Sequence, residues 1–343
     1  MSRELGKIWL LLDSRQPGGI ESHVLQLADG LKLYSKEVQV VFLQDYGDHP
    51  LRGALRDRGI ASCSLSGSFI SLRLALRQHR PAILHTHGYK AGIYGRLAAL
   101  LCGIPSLSTY HAGEIGRGKM AIYDWLDRQS ARLANKVFAV SPQIAKRLPI
   151  NSELADNFVN THGLSHSDGQ QIAFVGRLSH EKGPDYFLQL ARHFPQHHFH
   201  FYGDGPMASP LYREAPDNLH FHGMQRDMSV VWPHIGILVM PSRYEGLPMS
   251  ALEAMARGIP VLASQVGALD QLIENGCNGW LISPGEQQQL QKRLGEWLTM
   301  PPTERQQLSL SARAKIEQRF SANIAIPQLL HHYQLAAACH VAN

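Results

Sequence analysis

The sequence predicts an α/β protein made of two tandem, doubly wound, Rossmann-like domains with a ligand cleft between them. Three observations carry that expectation. Short, continuously apolar runs alternate with helical stretches, the pattern of parallel strands covered on both faces. The alternation is interrupted once, at the polar, glycine-containing residues 162–171 (HGLSHSDGQQ), where we place the linker between domains. The 343 residues, 44% hydrophobic and 18% charged, are enough for two ordinary cores and too apolar for a disordered chain.

Element by element, residues 8–12 read as a buried strand, Gly18 and Gly19 as a turn, and residues 20–31 as a helix. Strands follow at 38–43, 83–87, 107–110 and 137–140, with helices near 51–58, 70–80 and 91–101. After the linker, strands are expected at 172–175, 198–202, 219–222, 237–241, 261–264 and 280–282. Helices are expected at 184–193 and 248–257. From about residue 287 the chain reads as helical, with Leu290, Leu294 and Leu298 on one face. Ligands of such sheets bind beyond the carboxyl ends of strands.

Composition narrows the function. Net charge is +5, with 33 Lys and Arg against 28 Asp and Glu. The excess lies in residues 1–165, where 20 cations face 13 acids. That permits an anionic partner without pointing to nucleic acid. Arg73, Arg77 and Arg80 at helical spacing, with Arg52, Arg56 and Arg58, can dock on anionic headgroups or simply form a solvated face. Four scattered cysteines fit a reducing, cytoplasmic setting. No run is long enough to span a bilayer, and residues 1–7 lead straight into a strand rather than a secretory signal. There is no HExxH, GxSxG, Walker A or GxGxxG pattern, so no metal site or cofactor is expected, and hydrolase and dinucleotide readings are poor.

Three stretches carry chemistry. In PSRYEGLPMSALEAMARGIPV (241–261), Glu245 and Glu253 are eight residues apart. The first reads at the strand-to-helix turn and the second two turns into the helix; at about 3.6 residues per turn they fall about 80° past two full turns, able to border one cleft but too distant for a paired-carboxylate glycosidase. Two routine glutamates on a solvated helix fit the spacing equally. Gly246 and Leu247 open that helix, whose free N–H groups attract phosphate. In FVGRLSHEKGPDYF (174–187), Arg177 and Lys182 follow a strand and can clamp a diphosphate, although either alone reads as a surface cation. In PGGIESH (17–23), the glycines let backbone approach a ligand. Among 19 histidines, His85 and His87 end a strand and His111 follows another, where an imidazole can meet a substrate hydroxyl.

Together these stretches resemble the retaining glycosyltransferases of the GT-B fold in glycosyltransferase family 4, also called glycosyl transferases group 1. GGIESH resembles the family's N-terminal glycine loop, HTHG its acceptor-domain strands and AVSPQIAKRL a usual helix start, while FVGRLSHEKG, FYGDGP, FHGMQ and EGLPMSALEAMARGIPVLAS match in order and spacing. The resemblance implies an acceptor-binding domain at 1–165, a donor-binding domain at 166–322, and a final helix near 323–338 that returns to the first. It implies a nucleotide-diphosphate sugar as donor and no metal. Arg177 and Lys182 would hold the diphosphate. Glu245 would touch the sugar hydroxyls, with the amides of Gly246 and Leu247 beside sugar or phosphate. Glu253 would bind the ribose, residues around Met224 the base, Gly19 the diphosphate, and His111 the sugar. The acceptor would be a glycan or lipid-linked molecule of envelope polysaccharide or lipopolysaccharide synthesis, reached from the cytoplasm with peripheral membrane contact. A small cytosolic acceptor is the alternative. The family's PNGVD reads NTHGL here (160–164), and its usual EGFG reads EGLP. A nucleotide-sugar epimerase and a non-catalytic nucleotide-sugar binding subunit share the architecture and stand as alternatives.

Overall fold

The computed structural model describes residues 5–16, 18–111 and 119–341. The chain divides into two compact units. One holds residues 1–160 together with 322–343, the other residues 161–321.

The first unit runs β1 (Ile8–Leu12), α1 (Gly19–Leu33), β2 (Val38–Phe42), α2 (Pro50–Asp57), β3 (Ala61–Ser64), α3 (Phe69–His79) and β4 (Ile83–His87). It continues with α4 (Tyr89–Cys102), β5 (Ser106–Tyr110), α5 (Lys119–Ser130), β6 (Lys136–Ala139), α6 (Pro142–Ala145) and β7 (Glu153–Leu154). Its sheet is parallel throughout, in the order β3-β2-β1-β4-β5-β6-β7. Every residue of β1, β4 and β5 is buried, as a parallel sheet covered on both faces requires. Ile8, Leu10 and Leu12 pack with α1 and α2 on one side, while Trp9 and Leu11 pack with α3 and α4 on the other.

This two-sided packing corrects one expectation. Arg52 and Arg56 ride on α2, with Arg58 at its C-cap, and Arg73 and Arg77 ride on α3, so they lie on opposite sides of the sheet rather than on one basic surface. Arg80 caps α3 in the left-handed conformation, φ 41°, and is not part of the helix.

The second unit runs β8 (Gln171–Val175), α7 (Pro184–His193), β9 (Phe199–Tyr202), α8 (Ala208–Glu214), β10 (Leu219–Phe221), β11 (Ile235–Met240) and α9 (Met249–Met255). It ends with β12 (Val261–Ser264), α10 (Leu269–Leu272), β13 (Gly279–Ile282), α11 (Gln287–Thr299) and α12 (Pro302–Lys315). These strands are parallel too, ordered β10-β9-β8-β11-β12-β13, over a core that includes Phe174, Phe187, Phe199, Phe201 and Trp280. The last helix, α13 (Ala322–Val341), belongs to the first unit, where Ile326, Leu330 and Tyr333 join the α1 side of the core. Both sheets reverse strand order once, between β1 and β4 and between β8 and β11. Crevices at such switch points are where open α/β sheets take their ligands.

Candidate active site

In the second unit, four loops meet at the carboxyl ends of β8, β9, β11 and β12, and glycines let them touch. A Cβ on Gly203 would lie 1.9 Å from the Gly176 carbonyl oxygen, one on Gly183 2.2 Å from that of Pro241, and one on Gly267 2.3 Å from that of Gly246. Gly183 and Gly267 also have φ of 66°, where side chains are strained. The loops are then tied by hydrogen bonds. The Glu181 carbonyl accepts from the amides of Arg243 (2.8 Å) and Tyr244 (3.2 Å). The Arg243 guanidinium grips both carboxylate oxygens of Asp185, at 2.9 and 2.6 Å, donates to the His180 carbonyl and covers the Tyr186 ring. Burial works against the charge on Asp185, but these bonds hold its carboxyl below the ordinary range.

At the switch point, Lys182 from the loop after β8 meets Glu245 from the loop after β11. The ammonium donates to Glu245 Oε2 at 2.6 Å, and Ser242 Oγ donates to Oε1 at 2.8 Å. The glutamate side chain is 3% exposed and the lysine 28%. Lys182 is therefore not on a freely exposed loop. It is a held cation with an open side. Arg177 differs. Its backbone is pinned on either side, by Gly176 N–H to Tyr202 O and Leu178 N–H to Asp204 O, each 3.0 Å. Its exposed side chain forms no hydrogen bond or ion pair among the described residues. A fixed stem with an uncommitted guanidinium suits an arriving anion.

The two glutamates sit differently from the helical arithmetic. Residues 246–248 are not helical, and α9 starts only at Met249, because Pro248 at its N-cap is extended, φ −73° and ψ 130°. Glu253 thus stands about one turn into a seven-residue helix, half-buried, with its carbonyl accepting from Arg257. A helix this short offers phosphate less dipole than the expected ten residues would. Gly246 accepts through its carbonyl from Ala268 N–H at 2.8 Å, and the Leu247 side chain is buried. Met224 is exposed after β10, beside Gly223, whose carbonyl accepts from Gly203 N–H.

The first unit gathers imidazoles at its own switch point. Period-two geometry puts His85 and His87 on the α1 side of β4, where β1 pairs Leu10 with His85 and Leu12 with His87. His85 lies between Tyr333 OH (2.7 Å) and Thr109 Oγ1 (2.8 Å). His87 Nδ1 and His111 Nε2 share a hydrogen bond of 3.2 Å, and the His23 ring from α1 lies 4.5 Å from that of His111. Burial holds all four imidazoles neutral. His85 is pushed down to about 3 and His111 to about 4, with His23 and His87 well below their ordinary value. At neutral pH they offer N–H groups and lone pairs that suit hydroxyls, not a cationic grip on phosphate. One ring nitrogen each of His23, His87 and His111 lie within 4.8 Å of one another, so this trio could also hold a metal ion. The sequence reading missed His23. Its signal was the position four residues after Gly19, on the buried face of α1.

Gly19 is the first residue of α1, and a Cβ there would meet no atom within 4 Å. Nothing in the chain itself demands glycine at that point. Beyond His111, a surface pocket with about 510 Å³ of empty space, its open mouth included, is lined by Thr86, Thr109, Tyr110, Arg96, Asp127 and Arg147 among others.

Comparison with known proteins decides the family. Residues 161–315 match Glycosyl transferases group 1, and residues 17–149 match Glycosyltransferase Family 4. The chain belongs to glycosyltransferase family 4. An Escherichia coli UDP-Gal:alpha-D-GlcNAc-diphosphoundecaprenol alpha-1,3-galactosyltransferase is 28% identical over 282 residues, covering 70% of this chain and 73% of that one. The Escherichia coli O-antigen biosynthesis glycosyltransferase WbnH is 28% identical over 236 residues, 64% of this chain and 68% of its own. Among solved structures, Anabaena Alr3699/HepE in complex with UDP-glucose superposes with a TM-score of 0.83 at 19% identity, over 95% of this chain and 98% of that one. The fold is accordingly GT-B, as the family resemblance implied. No helix among the described residues is long and apolar enough to cross a membrane.

Proposed function

We propose that this family 4 glycosyltransferase moves a sugar from a nucleotide-diphosphate sugar to a lipid-linked glycan acceptor in envelope polysaccharide or lipopolysaccharide assembly. It would do so with retained configuration and without a metal. The observation that carries the reading is the switch-point pair of Lys182 on buried Glu245, with the uncommitted guanidinium of Arg177 carried on the loop after the same strand. Two cations at one strand's carboxyl end can neutralise the charge that grows on a departing diphosphate, the task a metal performs in other transferases. The anomeric C–O bond to phosphate breaks. The acceptor oxygen attacks from the face the diphosphate leaves, and its proton passes to the departing phosphate. Glu245 orients Lys182 and accepts from sugar hydroxyls. Glu253 binds ribose, and Met224 borders the base. The amides of Gly246 and Leu247 lie near sugar or phosphate.

On the acceptor side, the neutral imidazole of His111 suits a sugar hydroxyl, and open space at Gly19 leaves room for a diphosphate. The pocket that His111 helps to line takes the acceptor glycan. UDP is the nucleotide and a diphospholipid glycan the acceptor by analogy with the galactosyltransferase relative, whose name carries both. We place the enzyme at the cytoplasmic face of the inner membrane, in peripheral contact with anionic lipid.

The test is incubation with UDP-, GDP- and ADP-sugars, with and without a lipid-linked acceptor extract. Acceptor-dependent release of UDP is expected. Sugar epimers formed without acceptor would mean an epimerase, and binding without turnover a non-catalytic subunit. Activity should survive EDTA undiminished. A loss restored by Zn²⁺ would instead assign a metal to His23, His87 and His111.

A further inference from the structure

Helix α5 is built polar side inward. Among its described side chains the buried ones are Asp124 and Asp127. Asp124 holds Arg128 and Arg147, each at 3.0 Å, while Asp127 pairs with the buried Arg96 and accepts through its carbonyl from Tyr110 OH at 2.7 Å. The opposite side shows Ile122, Tyr123, Trp125 and Leu126 to solvent, Ile122 at 62% and Trp125 at 54% exposure. At 100° per residue these four fill an arc of about 160° that excludes both aspartates. A helix on a water-facing surface has the reverse order.

The exposed apolar surface extends beyond α5. Helices α3, α4 and α5 pack side by side on one face of the first unit's sheet. Exposed Ile70 and Leu74 on α3 and Leu100 and Leu101 on α4 continue the apolar surface. With Leu97 and Leu133, this face carries ten of the twenty exposed large apolar side chains among the described residues, so the exposure is concentrated rather than scattered. Its charge is one-sided. Helices α3 and α4 contain no Asp or Glu, both acids of α5 are buried, and Arg77 and Arg132 are exposed. An apolar face with Trp and Tyr, flanked by cations and, among the described residues, free of exposed acid, complements an anionic lipid surface.

We propose that this face docks on an anionic bilayer. Helix α5 lies in the interfacial plane, Ile122, Tyr123, Trp125 and Leu126 enter the boundary between headgroups and acyl chains, and Arg77 and Arg132 meet lipid phosphates. The purpose of the docking rests on the lipid-linked acceptor proposed above, but the docking itself does not.

The experiment is co-sedimentation of the full chain with vesicles of phosphatidylcholine alone and of phosphatidylcholine with phosphatidylglycerol, with the oligomeric state followed by light scattering. The chain should bind the anionic vesicles, and the Ile122→Ser/Trp125→Ser double variant should lose at least about tenfold in binding, because two exposed apolar side chains no longer enter the boundary. UDP affinity should be unchanged in that variant, which separates this proposal from the transferase reading. A chain that stays in the supernatant would overturn it, as would undiminished binding by the variant. A dimer that the same substitutions convert to monomers would assign the face to a second copy and also overturn it.

Discussion

The relation between Lys182 and Glu245 changes what each substitution should do. A lysine on an open loop could be removed with little structural effect. A lysine bonded to a carboxylate that is 3% exposed cannot, because its loss strands a buried charge that then keeps, among the described residues, the Ser242 hydroxyl as its side-chain partner. Lys182→Ala should therefore cost about 1–3 kcal/mol of stability in addition to turnover. Glu253 is expected to behave differently. Its proposed ribose contact binds ground and transition states alike, so Glu253→Ala should raise KM for the donor by about tenfold with a smaller change in kcat. Steady-state kinetics showing a pure kcat defect would contradict that role. At this scale the sequence was partly legible. Arg177, Lys182 and Glu245 stand out by residue type and position. Their pairing does not, because residues 63 apart become neighbours only when β8 and β11 lie side by side.

Among the elements, the buried strands were the most readable, since a parallel sheet covered on both faces leaves uninterrupted apolar runs. What misled was local. The helix start near residue 248 was legible, but applying helical arithmetic from Glu245 to Glu253 ignored that Glu245 stands in the turn before Pro248, where the chain is not yet helical. Pooling the arginines of α2 and α3 ignored that the two helices cover opposite faces of the sheet. The loops after β8 and β11 now carry a specific expectation. Gly183 passes so close to Pro241 that a Cβ would sit 2.2 Å from its carbonyl oxygen, at a φ of 66°. Gly183→Ala should destabilise the second unit by roughly 2 kcal/mol or more, combining backbone strain with displacement of the β11 loop that carries Glu245. Thermal unfolding of the variant at wild-type temperature would show that the loops are not locked together in this way.

Across the molecule, both switch points are occupied by residues singled out for function, cations and a glutamate in one unit and neutral imidazoles in the other. The imidazoles tie stability to pH. The folded first unit depresses His111 to about 4 and His85 to about 3, below the ordinary 6.5. Between pH 6.5 and about 4 the unfolded chain therefore binds more protons than the folded one, so stability falls as pH falls. The loss is about 1.4 kcal/mol per pH unit for each such group. Denaturant titrations from pH 7.5 to 5 should show this decline, and His111→Gln should flatten it. A midpoint constant over that range would contradict the neutral, buried cluster. The cluster was only partly visible in sequence, because α1, β4 and β5 bring its members together through strand order rather than spacing.

The most direct test of the account is release of UDP from a UDP-sugar in the presence of a lipid-linked acceptor, comparing the wild-type chain with Lys182→Met under conditions where thermal unfolding shows both to be folded. The account predicts at least a tenfold fall in kcat (about 1.4 kcal/mol or more of lost transition-state stabilisation), since Arg177 is then the one proposed cation left to meet the departing phosphate. Turnover equal to wild type would mean that the cation on Glu245 has no part in the chemistry.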